Sequence, residues 1–245
     1  MNRHAFDWSR EWQTESDPEN LLAAVPNVRG LDRRLRLFAC ASVRQVWHLL
    51  PSDTRSAVEV SERLANGGAT PADLRAAAVR LYWIRNTPSQ IAIEAAGYAS
   101  GGFLGVAPPA RSLPLEYDPR LAARLAARAW ASVAVGPAPP LVTPNWHHKW
   151  TCAYQEARAG QANLVRCLFP PPGFPSQLPP QWRSSTVVAL ARQIDATGNF
   201  ASLPILADAL QEAGCESDPL LQWCRMPGIN QVRGHWVVDC VLDRL

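Results

Sequence analysis

The sequence predicts an all-α protein, a multi-helix orthogonal bundle. Apolar residues recur at the helical period, and cap and stop residues punctuate the chain at helix-length intervals. Strand character is confined to the last fourteen residues. The chain has 245 residues, 47% hydrophobic and 18% charged. That is long and apolar enough to bury a core without disulfides or metal. The same figures exclude a disordered chain and a solvated coiled-coil rod.

The first strong element starts at Leu31. Leu31, Leu35, Phe38, Ser42, Val46 and Leu49 fall within about 100° on a helix turning 100° per residue, and Pro51 ends the stretch. Ser52 reads as the N-cap of the next helix, which passes Val58 and Leu64 and stops at Gly67-Gly68. Thr70-Pro71-Ala72-Asp73 supplies a capping Thr, Pro at N1 and an early carboxylate. That helix is expected to reach about Arg85 before Pro88 interrupts it. Residues 97–114, rich in Gly and Pro, read as a loop. Asp118-Pro119 opens a helix whose Leu-Ala-Ala-Arg repeats let a partner helix approach closely. Helices follow at about 147–168, 185–197, 202–213 and 218–225. In 232–245, Val237, Val238 and Val241 favour a strand, but the lack of other strands favours a buried helix.

Four prolines in 136–145 mark a connection, giving an N-terminal helical subdomain (1–135), a linker (136–145) and a C-terminal helical subdomain (146–245). Residues 170–180 hold six more prolines and read as an extended, solvated loop. Among the 10 tryptophans, Trp47, Trp83, Trp130, Trp223 and Trp236 are expected as core bulk whose N–H groups need partners. Trp146, Trp150 and Trp182 flank the proline-rich connections.

The net charge is +3, with 14 basic and 13 acidic groups in 1–122 and 10 and 8 in 123–245. Such balance gives no global footprint for nucleic acid or for a membrane, and leaves only local patches. Residues 1–12 show no secretory apolar region, and no run of about 18 uncharged apolar residues occurs. A cytoplasmic address is therefore expected. Six cysteines without a C-x-x-C pair read as buried free thiols.

Residue type and spacing bear on four kinds of site. Opposite the apolar stripe of the Leu31 helix lie Arg33, Arg36, Cys40, Arg44 and Trp47, within roughly 80° of one another. Guanidinium groups beside an indole can bind carboxylate or phosphate while the ring caps a cation or stacks a base. The alternative is that Glu59, Glu62 and Asp73 of neighbouring elements pair with these arginines. For metal, His148 and Cys152 share a helix face at i,i+4, His235 and Asp239 repeat that spacing, and Cys215 and Cys224 add sulfur. Zinc is the ion such a set would take, although the spacing matches no zinc finger. For catalysis there is no G-x-S-x-G, no H-E-x-x-H and no P-loop lysine. The Gly-rich stretch 97–105 follows no strand, and Asp208 and Glu212 at i,i+4 read as solvated charges. Pro172 and Pro175 satisfy P-x-x-P.

Two blocks of the chain show a resemblance. In 11–50, Asp17-Pro18 precedes Asp32-Arg33-Arg34-Leu35-Arg36-Leu37-Phe38-Ala39-Cys40 and Val46-Trp47-His48-Leu49-Leu50. From 161 onward come Gln161-Ala162-Asn163-Leu164, Leu203-Pro204-Ile205-Leu206-Ala207-Asp208-Ala209-Leu210, Glu212-Ala213-Gly214-Cys215, Cys224-Arg225 and Val232-Arg233-Gly234-His235-Trp236. In this order they resemble a family of uncharacterised helical proteins present in many copies in planctomycete genomes, to which no activity attaches. Family members carry His where this chain has Gln231, Cys where it has His235, and further cysteines where it has Ser42 and Val43. If those positions bind metal in relatives, the resemblance implies an impaired site here.

The expectation is a non-catalytic cytoplasmic module that acts by protein–protein interaction, in a scaffold or regulatory role. Arg33, Arg36, Arg44 and Trp47 form its surface, with no bound cofactor and no membrane partner. The rival expectations are a zinc-binding domain or metal-dependent enzyme using His148, Cys152, Cys215, Cys224 and His235, and a nucleic-acid-binding helical protein.

Overall fold

The computed structural model describes residues 8–25, 30–81, 90–100, 118–136, 138–139, 141–175, 177–226 and 231–244. Among them the fold is all-α, with twelve α-helices and no strand. In chain order these are α1 (Trp8–Thr14), α2 (Pro18–Ala24), α3 (Leu31–Arg44), α4 (Ser52–Ala65), α5 (Pro71–Leu81), α6 (Gln90–Ser100), α7 (Pro119–Val135), α8 (Pro144–Leu168), α9 (Ser185–Thr197), α10 (Leu203–Glu212), α11 (Asp218–Arg225) and α12 (Trp236–Val241). Expected positions at Trp83, Pro88 and 101–114 lie outside the described residues.

The helix ends follow local chemistry. Asn66, Gly67 and Gly68 close α4 in a Schellman motif: Gly68 N–H donates to Arg63 O at 2.8 Å and Gly67 N–H to Leu64 O at 3.1 Å. Gly67 takes a φ of 75° there, which glycine adopts without steric cost. Thr70 and Asp73 form a reciprocal cap on α5. Asp73 N–H donates to Thr70 Oγ1 at 3.2 Å, and Thr70 N–H donates to Asp73 Oδ2 at 2.8 Å. These bonds hold the Asp73 carboxyl below its ordinary range. Asp118 Oδ1 accepts from Arg120 and Leu121 at the start of α7. Ser184 caps α9 through the Val187 N–H.

Four local expectations change. The Leu31 helix stops at Arg44 and tightens into a 3₁₀ turn, Trp47–Leu49, as Val46 N–H bonds back to Val43 O. Pro51, rather than Ser52, stands at the cap of α4, with no side-chain bond. Residues 97–100 are helical, because buried Ala92, Ile93, Ala95, Ala96 and Ala99 give α6 a packed face that outweighs the glycine penalty. Within 170–175 and 177–180 the chain is anchored at Phe174 and Leu178, while Gly173, Pro175, Gln177 and Pro180 are exposed. Gly173 (φ 85°) turns the chain, Phe174 N–H bonds Pro171 O, and Leu178 is buried. Pro172 therefore sits in a turn.

The chain divides into two compact units. Unit 1 comprises Met1–Glu15, Asn20–Leu31 and Ala162–Leu245; unit 2 comprises Ser16–Glu19 and Asp32–Gln161. The division falls within α8, and the proline-rich 136–145 lies inside unit 2. There it connects α7 and α8 as an antiparallel pair. Gln161 Nε2 donates to Ala123 O at 2.8 Å, and Trp150 Nε1 to Ser132 Oγ at 3.5 Å.

Unit 1 is built on large side chains. Leu203, Leu206, Leu210, Leu220, Trp223 and Trp236 pack with Val187, Ile194 and Val237, and Phe174 meets Trp236 edge-on at 4.7 Å. Residues 236–241 form a six-residue helix with every side chain buried, which settles the strand-or-helix question. Arg166, itself buried, closes the C-terminal end of α1. Its Nε donates to Trp12 O at 2.6 Å, and another guanidinium nitrogen bonds Glu15 O.

Unit 2 is built on small ones. Ala92, Ala95, Ala96 and Ala99 of α6 join Ala122, Ala126 and Ala129 of α7 in one cluster with Ala39, Cys40, Val43 and Val58. Buried Arg158 of α8 holds the turn into α2, pairing with Asp17 at 2.8 Å and Glu19 at 3.0 Å, while Gln161 Oε1 accepts at 3.1 Å. Asp17 also accepts the Glu19 N–H at 2.8 Å, so one carboxylate caps α2 and neutralises the arginine.

The indole N–H groups of Trp12, Trp146, Trp223 and Trp236 are buried and make no hydrogen bond among the described residues.

Candidate functional site

The arginine face of α3 packs on α4. Arg33 Nε donates to Ala65 O at 3.1 Å, and a terminal nitrogen donates to Asn66 Oδ1 at 2.9 Å, so Arg33 completes the C-terminus of α4. Arg36 donates to Ser61 Oγ at 3.3 Å, and the Ser61 hydroxyl in turn donates to Ala99 O of α6 at 2.9 Å. Cys40, on the same face, is buried with its thiol toward Val58 O. Burial, then the Glu62 carboxylate, pushes that thiol up to about 12. It is held as a neutral group, not a nucleophile. The structure thus assigns Arg33, Arg36 and Cys40 contacts that organise unit 2.

Arg44 and Trp47 differ. Arg44 grips Glu62 with both arms of its fork, at 2.5 and 2.6 Å, and this bond raises the guanidinium above its ordinary range. Arg44 is nonetheless exposed, and its carbon Cζ sits 4.3 Å from the Trp47 ring centroid. Arg55 of α4 lies 5.7 Å from the same centroid and donates its Nε to Trp47 O at 3.2 Å. The result is a half-buried indole flanked by two guanidinium groups. Arg55 makes no ion pair among the described residues. Sequence periodicity placed Trp47 on this face but missed Arg55. The 3₁₀ turn returns the chain so that Arg55 reaches back across eight residues, and no helical pattern carries that signal.

The five metal candidates are distributed over both units. His148 and Cys152 are exposed on α8 in unit 2, with Nε2 and Sγ 3.7 Å apart. Cys215, Cys224 and His235 are buried in unit 1. Burial raises both thiols, Cys224 to about 12. His235 caps α12: its Nδ1 accepts the Val237 N–H at 3.3 Å, which fixes the proton on Nε2. The ring lies among Phe200 and Trp236, and burial lowers it to about 3. Among the described residues no group of three or more His, Cys, Asp or Glu side chains could hold a metal ion.

Asp208 and Glu212 are exposed on α10, and Asp208 pairs with Arg225 at 2.6 Å. No helix is long and apolar enough to cross a membrane among the described residues. Several residues in the two resemblance blocks have structural tasks: Asp17 receives Arg158, Gln161 bonds the α7 backbone, Asn163 supports Arg166, and His235 caps α12. No family model matches the chain, and no curated protein or solved structure matches it.

Proposed function

We propose that this chain is a non-catalytic, cytoplasmic helical module that binds another protein through the Arg44–Trp47–Arg55 patch. The observation that supports this is the half-buried Trp47 ring between two guanidinium groups, one of which has no carboxylate of its own among the described residues. An aromatic anchor with adjacent arginine is the chemistry enriched at the centres of protein interfaces. The partner segment would carry a carboxylate for Arg55 beside an apolar side chain for the indole. Arg33 and Arg36 serve as supports for this patch rather than as contacts.

The test compares wild type with Trp47→Ala and Arg55→Glu in affinity capture under native conditions. The two variants are expected to lose the same partner, while Asp208→Asn, on α10, retains it. Equal recovery of every protein by all four forms removes the proposal.

A further inference from the structure

We infer that the closed end of the α7–α8 hairpin is a docking surface for an anionic lipid bilayer. It uses none of the residues of the Trp47 patch and does not depend on the protein-binding proposal.

Charge supplies the first observation. Residues 119–155 contain Arg120, Arg124, Arg128 and Lys149 and not one Asp or Glu. Arg120 and Arg124 lie in the first two turns of α7, at the open end of the hairpin, whereas Arg128 and Lys149 lie nearer its closed end, where no carboxylate accompanies them in the sequence. Arg124 is paired with Glu19; Arg128 and Lys149 are exposed and make no ion pair among the described residues.

Exposed apolar surface supplies the second. Leu141 is 84% exposed, Val142 56% and Val133 54%. Only two other large hydrophobic side chains are comparably open among the described residues, Ile205 and Met226, so bare aliphatic surface concentrates at the connection between α7 and α8.

The two features are layered along the hairpin. Leu141 and Val142 lie in the connection, Trp146 in the first turn of α8, and Lys149 and Trp150 in the second. At 1.5 Å per helical residue, Lys149 stands roughly 8–10 Å from the tip. A segment lying at a bilayer surface buries its apolar side by about 5–10 Å, with indoles at headgroup level and cations among the phosphates. Trp150 braces the hairpin rather than the bilayer, through its bond to Ser132 and its stack on Tyr154 at 5.3 Å. A nucleic acid would satisfy the cations but give Leu141 and Val142 no apolar environment. An anionic bilayer satisfies both layers at once.

The experiment is co-sedimentation of the full chain with vesicles of phosphatidylcholine alone and of phosphatidylcholine with phosphatidylserine, at low and high salt. Binding is expected on the mixed vesicles at low salt, falling about tenfold on neutral vesicles or at high salt. Leu141→Asp with Val142→Asp, and separately Lys149→Glu, should abolish it while thermal unfolding stays as in wild type, because these side chains are exposed. Leu141→Trp should strengthen binding. Failure of wild type to sediment with anionic vesicles at low salt overturns the inference, as does undiminished binding by the double variant. A single-stranded oligonucleotide that binds the double variant as well as wild type, and displaces wild type from vesicles, would reassign the surface to nucleic acid.

Discussion

Unit 1 fills its interior with Leu203, Leu206, Leu210, Trp223 and Trp236, whereas unit 2 brings Ala92, Ala95, Ala96 and Ala99 against Ala122, Ala126 and Ala129. In the first case stability comes from the area of each side chain removed from water. In the second, little area is buried per residue and the helix backbones supply the contact surface, which demands that nothing larger than a methyl group intervene. The same overall architecture therefore has two opposite sensitivities: unit 1 to loss of volume, unit 2 to gain of it.

The largest expected effect is in unit 1. Trp236→Ala removes the ring that Phe174 and His235 pack on, and should cost roughly 3–5 kcal/mol. Denaturant unfolding measures the loss, and amide exchange should place it in α9 to α12. Ala126→Leu should cost roughly 1–3 kcal/mol by overpacking, with faster exchange in α6 and α7. If Ala126→Leu is neutral, the alanine seam is not closely packed and the contrast fails.

Acid sharpens the comparison further. Free histidine titrates near 6.5, and His235 is lowered to about 3 by burial. Between those values the unfolded chain binds a proton that the native state does not. The stabilisation is therefore complete above about 6.5 and declines as pH falls toward 3. At pH 5.5 the loss is about 1 kcal/mol. His235→Asn keeps a capping acceptor without the titration, and should flatten the pH dependence of unfolding between 5 and 7. An unchanged slope would show that His235 is not its source.

What could be read in the sequence was what local chemistry decides. The Thr70–Asp73 cap, the Asp118 cap, the Gly67 stop and α9 to α11 follow from residues a few positions apart. The all-α class followed from the same signals. Contacts distant in the chain were not legible: Arg158 meets Asp17 across 141 positions, and Arg166 meets Trp12 across 154. Trp12, one of the two largest fully buried side chains among the described residues, carried no periodic signal in a seven-residue helix. At the candidate site, Trp47 was legible by its spacing from Arg44, but the commitment of Arg33 and Arg36 to α4 was not. An arginine on a helix face reads alike whether it meets water or a neighbouring carbonyl.

The sulfur atoms divide along the same contrast. Cys167, Cys215, Cys224 and Cys240 are buried in unit 1 and Cys40 in unit 2, while Cys152 is the exposed thiol. A thiol-specific reagent applied to the native protein should add one mass increment, at Cys152, and each later increment records an opening event at a known address. The chain thus carries its own set of clocks, four for the leucine-rich interior and one for the alanine-rich one, with an internal standard for reagent access.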